Sequence, residues 1–430
     1  SFIKTLFWGE VTGYGYGSFF FCKDSNLPKI EHLCAMKDRA PKTSLSILMF
    51  FQFFIWSTWY VSGGTYLIQE LKFSGTQIGM LYGTLAIAGL VSPFFIGLLA
   101  DRFFSTEKLL AFFHGFGGIL LIALAYTTDF WWFFGILQLY TFMYVPTMAL
   151  SNSITFHHIS DREKDFALIR VWGSLGWVIA GFMVSALQWE VTFYPFLVAG
   201  TISAAFGIYC WFLPKTPPTQ SKKNSLKQLL SSEAGILLRN RAFIIFVIGI
   251  TFIRIPASFY YSFVNPYLYE IGFPNPAGSM ALGQIAEIAL MLSLPFVMRK
   301  VGLKPLLVFG MFAWGFRYVL FGYGDVGNAS WMIYLAILCQ GITFNYTSLV
   351  GQIYVDQSVP IQLRATAQGF IVLITVGFGP LIGAYLSGSI VEHYTFADAT
   401  HNWRAIFWVP ALVGMLTAVW FFFAFWPKKA

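Results

Sequence analysis

Charge is scarce in this chain. Only 11% of its 430 residues are Asp, Glu, Lys or Arg, against about 25% in a typical soluble domain. That scarcity excludes an ordinary water-soluble globule. Cysteine is scarce too: of four, Cys210 and Cys339 sit in apolar runs, where a thiol behaves as a small apolar side chain. Cys22 and Cys34 lie near the start. No disulfide framework and no metal-ligand spacing emerges from them. The signatures of soluble enzymes are missing as well. There is no phosphate-binding Gly-Lys loop, no Gly-x-Ser-x-Gly elbow and no zinc motif. No catalytic residue, cofactor or metal is therefore expected. Among six histidines only His114 lies well inside an apolar run, and a packed neutral imidazole is the simplest reading of it.

What is abundant is apolar surface. Hydrophobic residues make up 57% and aromatics 20%. Apolar stretches of about 20 residues can cross a bilayer as helices. Twelve are present, at 44–69, 76–100, 109–127, 130–156, 167–187, 192–213, 242–269, 278–298, 304–323, 331–354, 365–389 and 404–426. The fold class expected is an all-α membrane protein, with twelve transmembrane helices in two six-helix bundles. The formal charge of +8 does not imply nucleic acid, because its distribution explains it. With both ends on one side, 22 of the 27 Lys and Arg fall on that side, and only Lys72 and Arg404 on the other. Positive residues favour the cytoplasm, so both termini are expected there. The lipid bilayer is the expected partner, with no obligate protein partner evident.

Residues 1–43 are expected to form a poorly ordered tail. Met36 followed by Lys37, Asp38 and Arg39 resembles a start, and no signal-peptide pattern is evident. Residues 44–213 form the first bundle, 214–241 a cytoplasmic linker with Pro217, Pro218, Lys222 and Lys223, and 242–427 the second bundle. The bundles echo one another. Tyr66-Leu67 precedes Met80 and Gly83 as Tyr267-Leu268 precedes Met280 and Gly283, and both copies reach a proline, Pro93 and Pro295. A parallel repeat of about 200 residues suits transporters whose site lies between the halves near mid-membrane, although repetition alone speaks for the fold rather than the function.

Glu287 is the only acid deep inside any of these runs. An ionised side chain at mid-bilayer costs about 2.5–3.5 kcal/mol on insertion scales, so it usually marks an ion or substrate path. Gln284 and Met291 share its helical face. The repeat places Thr84 and Ile87 opposite Gln284 and Glu287, so the scaffold itself does not demand the polar pair. A carboxyl and an amide one turn apart supply a group that can titrate beside a neutral donor and acceptor; a structural bond between helices is the blander account. On the fifth run Arg170, Ser174 and Trp177 share a face, with Arg170 either reaching inward or anchoring a loop. On the seventh Arg254, Ser258, Tyr261 and Asn265 form a polar stripe that serves either substrate or helix packing. On the tenth Gln340, Phe344, Asn345 and Ser348 suit a neutral polar, ring-bearing ligand or ordinary packing. The first adds Gln52, Trp56 and Trp59. Gly97 to Arg102 closes the second run, with Asp101 and Arg102 as a candidate conformational lock.

That last segment resembles the loop motif of the major facilitator superfamily. The chain further resembles its bacterial nucleoside:proton symporter branch, through Gln52-Phe-Phe-Ile-Trp56, Pro146-Thr-Met-Ala-Leu-Ser-Asn152, Arg170-Val-Trp-Gly-Ser174, Gln284-Ile-Ala-Glu287, Phe316-Arg317 to Asp325 and Arg364-Ala-Thr-Ala-Gln368. These span about 44 to 427. The resemblance implies a secondary transporter of the bacterial inner membrane that imports nucleosides with protons by alternating access. It implies substrate contacts at Arg170, Ser174, Trp177, Gln284, Glu287 and Phe344. Tyr261 stands where the family has an amide and Asn345 where an acid is expected, so both contacts are altered and proton coupling is thrown onto Glu287. Three in-span arginines against one acid leave open a transporter of an anionic solute such as a sugar acid. A membrane enzyme and a non-transporting sensor of the same fold also stay open.

Overall fold

A computed structural model describes residues 28–102, 104–159, 164–217, 239–360 and 363–426, excepting the side chains of residues 28–40, 93–102, 164 and 365–366. Regular structure in them is helical, apart from a single bridge between Thr395 and His401. The crossing helices are α1 (Pro28–Tyr60), followed by the short Gly63–Gln69, α2 (Gly75–Arg102), α3 (Thr106–Ala125), α4 (Phe130–His158), α5 (Lys164–Ala186) and α6 (Tyr194–Cys210). The second half adds α7 (Arg241–Glu270), α8 (Pro276–Val301), α9 (Leu303–Tyr323), α10 (Ser330–Ser358), α11 (Ala367–His393) and α12 (Trp403–Ala424).

All twelve expected spans are therefore helices, and ten of the described helices are long and apolar enough to cross a bilayer outright. Helix is the natural choice, since a lipid-facing chain must satisfy its backbone groups internally. Local signals set the ends. Asp129 accepts from the backbone N–H groups of Trp131 and Trp132, both at 3.0 Å. Asn240 likewise caps α7 through Ala242 at 3.0 Å. Helix α1 runs from Pro28, ahead of the apolar run that starts at 44, and the stretch of it apolar enough to cross a bilayer starts at Pro41. The expected order of residues 1–27 falls outside the described residues, as does most of the linker. Helix α10 contains a π segment, Asn345–Leu349, and α11 another, Leu373–Phe378.

The packing repeats. Helix α1 lies on α5, α2 on α4 and α3 on α6; in the second half α7 lies on α11, α8 on α10 and α9 on α12. These are the same pairs shifted by six helices. The halves meet through α2 with α11 and α5 with α8, and the ends of α1 and α7 approach each other. Tyr60 and Tyr261, about one repeat apart, face each other with ring centroids 5.9 Å apart. The fold is thus two copies of one six-helix unit about a pseudo-two-fold axis.

The polar contacts between halves gather at the face where α1 ends, here termed the far face. Thr65 Oγ1 donates to Asn265 Oδ1 at 2.5 Å. The Gly278 N–H donates to Ser185 Oγ at 2.9 Å. Glu392 Oε2 accepts from Ser74 Oγ at 2.9 Å and Thr76 N–H at 2.8 Å. At the opposite face the ion pairs Lys42–Asp165 (2.9 Å) and Arg364–Asp356 (3.3 Å) each stay within one half.

Candidate functional site

Glu287 projects from the middle of α8, which packs on α5 of the other half and on α10 of its own. Its side chain is half-buried. Gln340 Nε2 lies 3.4 Å from Glu287 Oε2 and 3.3 Å from the Tyr261 hydroxyl. Gln284 lies one turn away on the same face of α8 and is half-buried like Glu287. Across the interface Arg170 is near enough for its charge to act on Glu287, yet no ion pair joins them among the described residues. The carboxyl therefore meets a neutral amide donor from α10 and lies within electrostatic reach of one guanidinium from the other half.

Phe53, Trp56 and Tyr60 on α1 supply the surface on which Arg170 and Trp177 rest. The Arg170 guanidinium carbon sits 4.0 Å from the Phe53 ring centroid. Trp56 meets Trp177 edge-to-face at 5.3 Å and Tyr60 at 5.4 Å. With Tyr261 they form an aromatic wall spanning both halves beside Glu287. Ser57 Oγ donates to the Trp177 carbonyl at 2.9 Å, pinning α5 to α1. The Trp56 indole N–H is sealed from water without a partner.

Of the residues the sequence singled out, Arg170, Trp177, Tyr261, Gln284 and Glu287 come together here. Ser174 is half-buried on the same face of α5, and Phe344 is half-buried just before the π segment. Asn345 is fully buried, and its Nδ2 donates to the backbone carbonyls of Glu287 at 2.9 Å and Gly341 at 2.8 Å. It holds the main chain of α8 and does not present its amide to the opening. The polar stripe of α7 divides its partners. Arg254 Nη2 donates to Ser348 Oγ at 3.3 Å, and Ser258 Oγ reaches the Pro380 carbonyl at 3.4 Å. The side chains of Asp101 and Arg102 lie outside the described residues.

Sequence reasoning did not connect Gln340 and Arg317 to Glu287. Arg317 on α9 is fully buried, and its Nη1 donates to Gln340 Oε1 at 3.0 Å. Its guanidinium carbon lies 3.8 Å from the Tyr260 ring centroid. One signal was available: a mid-span arginine demands a partner, and Glu287 was the only acid on offer.

Two helical bundles related by a parallel repeat, with a lone carboxyl and an aromatic wall between them, define a secondary transporter. The family described as Nucleoside H+ symporter matches residues 40–430. A curated relative, the putative nucleoside transporter YegT of Escherichia coli (strain K12), is 37% identical over 395 residues, covering 89% of this chain and 93% of that protein. The nucleoside permease NupG of the same organism is 30% identical over 381 residues, covering 85% and 91%. A crystal structure of the nucleoside transporter NupG superposes with a TM-score of 0.84 at 29% identity, covering 90% of this chain and 99% of that one. The chain belongs to the nucleoside:H+ symporter family of the major facilitator fold. It is a multi-pass membrane transporter and not an enzyme, and membership makes it a proton-coupled nucleoside importer.

Proposed function

We propose that nucleosides bind between the halves against Glu287, Gln284, Gln340, Arg170 and the aromatic wall, and that Glu287 carries the coupled proton. A nucleoside offers sugar hydroxyls that both donate and accept, and a base with a flat face. Protonated Glu287 also donates and accepts, as a hydroxyl partner needs; ionised, it only accepts. The amides of Gln284 and Gln340 complete a mixed polar set, and Trp177, Trp56 and Tyr261 offer faces to a base. In this reading Ser174 and Phe344 border the bound nucleoside, and Asn345 contributes indirectly by holding the backbone of Glu287. Symport requires that cargo and proton arrive and leave together. The placement of the carboxyl opposite Arg170 supports this. Protonation of Glu287 removes its attraction to the arginine of the other half, so loading the proton changes the contact between the halves. Binding states that differ in the closing interface are what alternating access requires.

The protein is placed in a bacterial inner membrane with both termini in the cytoplasm, on the charge bias of its loops. The far face is then periplasmic, and the polar seals at that face support a state closed to the outside. The single observation that carries the reading is a half-buried carboxyl at the junction of the two bundles, with the Gln340 amide 3.4 Å from it. Two measurements test it. Membrane vesicles with an imposed proton gradient should accumulate labelled uridine, with competition from other nucleosides and little from ribose. Glu287→Gln should abolish accumulation against a gradient while retaining counterflow exchange. A Glu287→Gln protein that still concentrates uridine would remove this residue from coupling. Competition by a sugar acid in place of nucleosides would favour an anion carrier.

A further inference from the structure

Arg317 is a charge in an unusual setting. It is fully buried, and no carboxylate pairs with it among the described residues. Buried charges are normally paired or they cost several kcal/mol. Here the compensation is aromatic: the guanidinium lies 3.8 Å from the centroid of Tyr260 and 5.1 Å from that of Trp314. A desolvated cation–π contact returns about 2 kcal/mol. Two of its nitrogens, Nε and Nη2, have no partner. Only Nη1 makes a hydrogen bond, at 3.0 Å to Gln340 Oε1.

That one bond has a directional consequence. Arginine has donors and no acceptor, so the group of Gln340 turned toward it must be the carbonyl oxygen. The amide NH2 must then point the other way, toward Glu287 at 3.4 Å and Tyr261 at 3.3 Å. The orientation of an amide is normally ambiguous; a guanidinium on one side removes the ambiguity. Glu287 consequently meets a donor from α10, and a donor of this kind favours the ionised carboxylate, which accepts a hydrogen bond more strongly than the protonated carboxyl does. Other groups face Glu287 as well: Arg170 from α5, Tyr260 and Tyr261 from α7, and Gln284 from its own helix. From α10 the facing groups are neutral amides, Gln340 and Asn345.

We propose that Arg317 is a positioning residue for proton coupling: from inside the C-terminal half it locks the Gln340 amide with its NH2 toward Glu287, and so sets the pH at which the transporter loads its proton. It touches neither cargo nor the proton, and acts through Gln340. The proposal rests on Glu287 being the coupling acid. Without Arg317 the amide is free to turn over and offer its oxygen to a protonated Glu287. The loaded form is then favoured at higher pH.

The test is uridine binding to the purified, full-length protein, followed by tryptophan fluorescence from acid to alkaline pH. Arg317→Met should move the midpoint of the pH dependence to the alkaline side by about one unit, the size of one lost hydrogen bond to a charged group. Arg317→Lys keeps the charge and a donor, and should stay near the wild-type midpoint. If Arg317→Met does not fold, Gln340→Met removes the same relay and should produce the same alkaline displacement. An unmoved midpoint in Arg317→Met or, where that variant fails to fold, in Gln340→Met overturns the proposal. So does an equal displacement in Arg317→Met and Arg317→Lys. Failure of the wild-type protein to bind uridine at any pH would instead sink the underlying nucleoside reading, and is read separately.

Discussion

Arg170 stands alone among the three in-span arginines in reaching the gap between the halves. Arg317 is committed to Gln340 and Tyr260, and Arg254 to Ser348. Arg170 rests its guanidinium on Phe53 at 4.0 Å, which leaves its edge donors free to meet a ligand. A planar fork can stack and donate at once; a lysine ammonium is a compact point charge that cannot. Arg170→Lys is therefore expected to raise the KM for uridine about tenfold. That corresponds to about 1.4 kcal/mol, within the range of a desolvated cation–π contact with its associated hydrogen bond. Initial uptake rates across a concentration series decide it; an unchanged KM would place Arg170 outside the binding surface. At this scale the sequence was partly legible. The i, i+3 spacing of Gln284 and Glu287 announced one helical face, and a lone acid in an apolar run announced function. The Arg317–Gln340–Glu287 chain was not legible. It depends on how α9 and α10 are rotated about their axes, and helices apolar all round carry no stripe to fix that rotation. The partners of Asn345 were hidden for a related reason. It follows Phe344 in sequence, but it opens the π segment, and its Nδ2 donates to backbone carbonyls at 2.8 and 2.9 Å while its Oδ1 is buried without a partner.

Within the first bundle, one side chain ties three helices together, and a histidine extends the tie to a fourth. Gln52 of α1 donates to Thr147 Oγ1 at 2.7 Å, and its Oε1 accepts from Ser151 Oγ at 3.1 Å and from His114 Nε2 at 3.0 Å. The far nitrogen of His114 lies 3.3 Å from Ser203 Oγ on α6. The Tyr144 hydroxyl closes the set on the Gln52 backbone carbonyl at 2.5 Å. All of these groups are buried, so none can turn to water if a partner is lost. Sequence spacing placed Gln52 on neighbouring turns with Trp56 and Trp59 without giving it a partner; in the structure it turns toward α3 and α4. Gln52→Leu should therefore destabilise the bundle without changing the site. Interhelical hydrogen bonds in membranes average about 0.6 kcal/mol with a maximum near 1.7, so a net loss of about 1–2 kcal/mol is expected. The melting temperature in detergent should fall by a few degrees, while the folded fraction keeps its KM. A raised KM with unchanged melting would place the network in the binding machinery.

At the scale of the whole molecule, the number of spans and the repeat were readable from run lengths and spacing, because bilayer thickness acts on composition directly. The conformational state was not readable, since both faces of an alternating-access protein are built from the same elements. The far face is closed here by close backbone approach as well as by hydrogen bonds. At Gly79 of α2 a Cβ would collide with the Ala384 carbonyl oxygen and come within 3.1 Å of Gly388 Cα on α11. Neither obstacle is a flexible side-chain end, so the helices must part to admit it. Overpacking of this kind costs about 1–3 kcal/mol, and only in the state where α2 and α11 touch. Gly79→Val is thus expected to shift the population toward opening at the far face by about tenfold or more, since 1.4 kcal/mol is a factor of ten. Ser262 on α7 is buried behind this seal. A Ser262→Cys reporter, with other reactive thiols removed, should react slowly with a membrane-impermeant maleimide applied outside intact cells. Adding Gly79→Val should accelerate labelling roughly in proportion to the population shift. Equal labelling rates with and without the valine would mean that the α2–α11 contact does not limit opening, and that the seal resides in the Thr65–Asn265 and Ser185–Gly278 bonds alone.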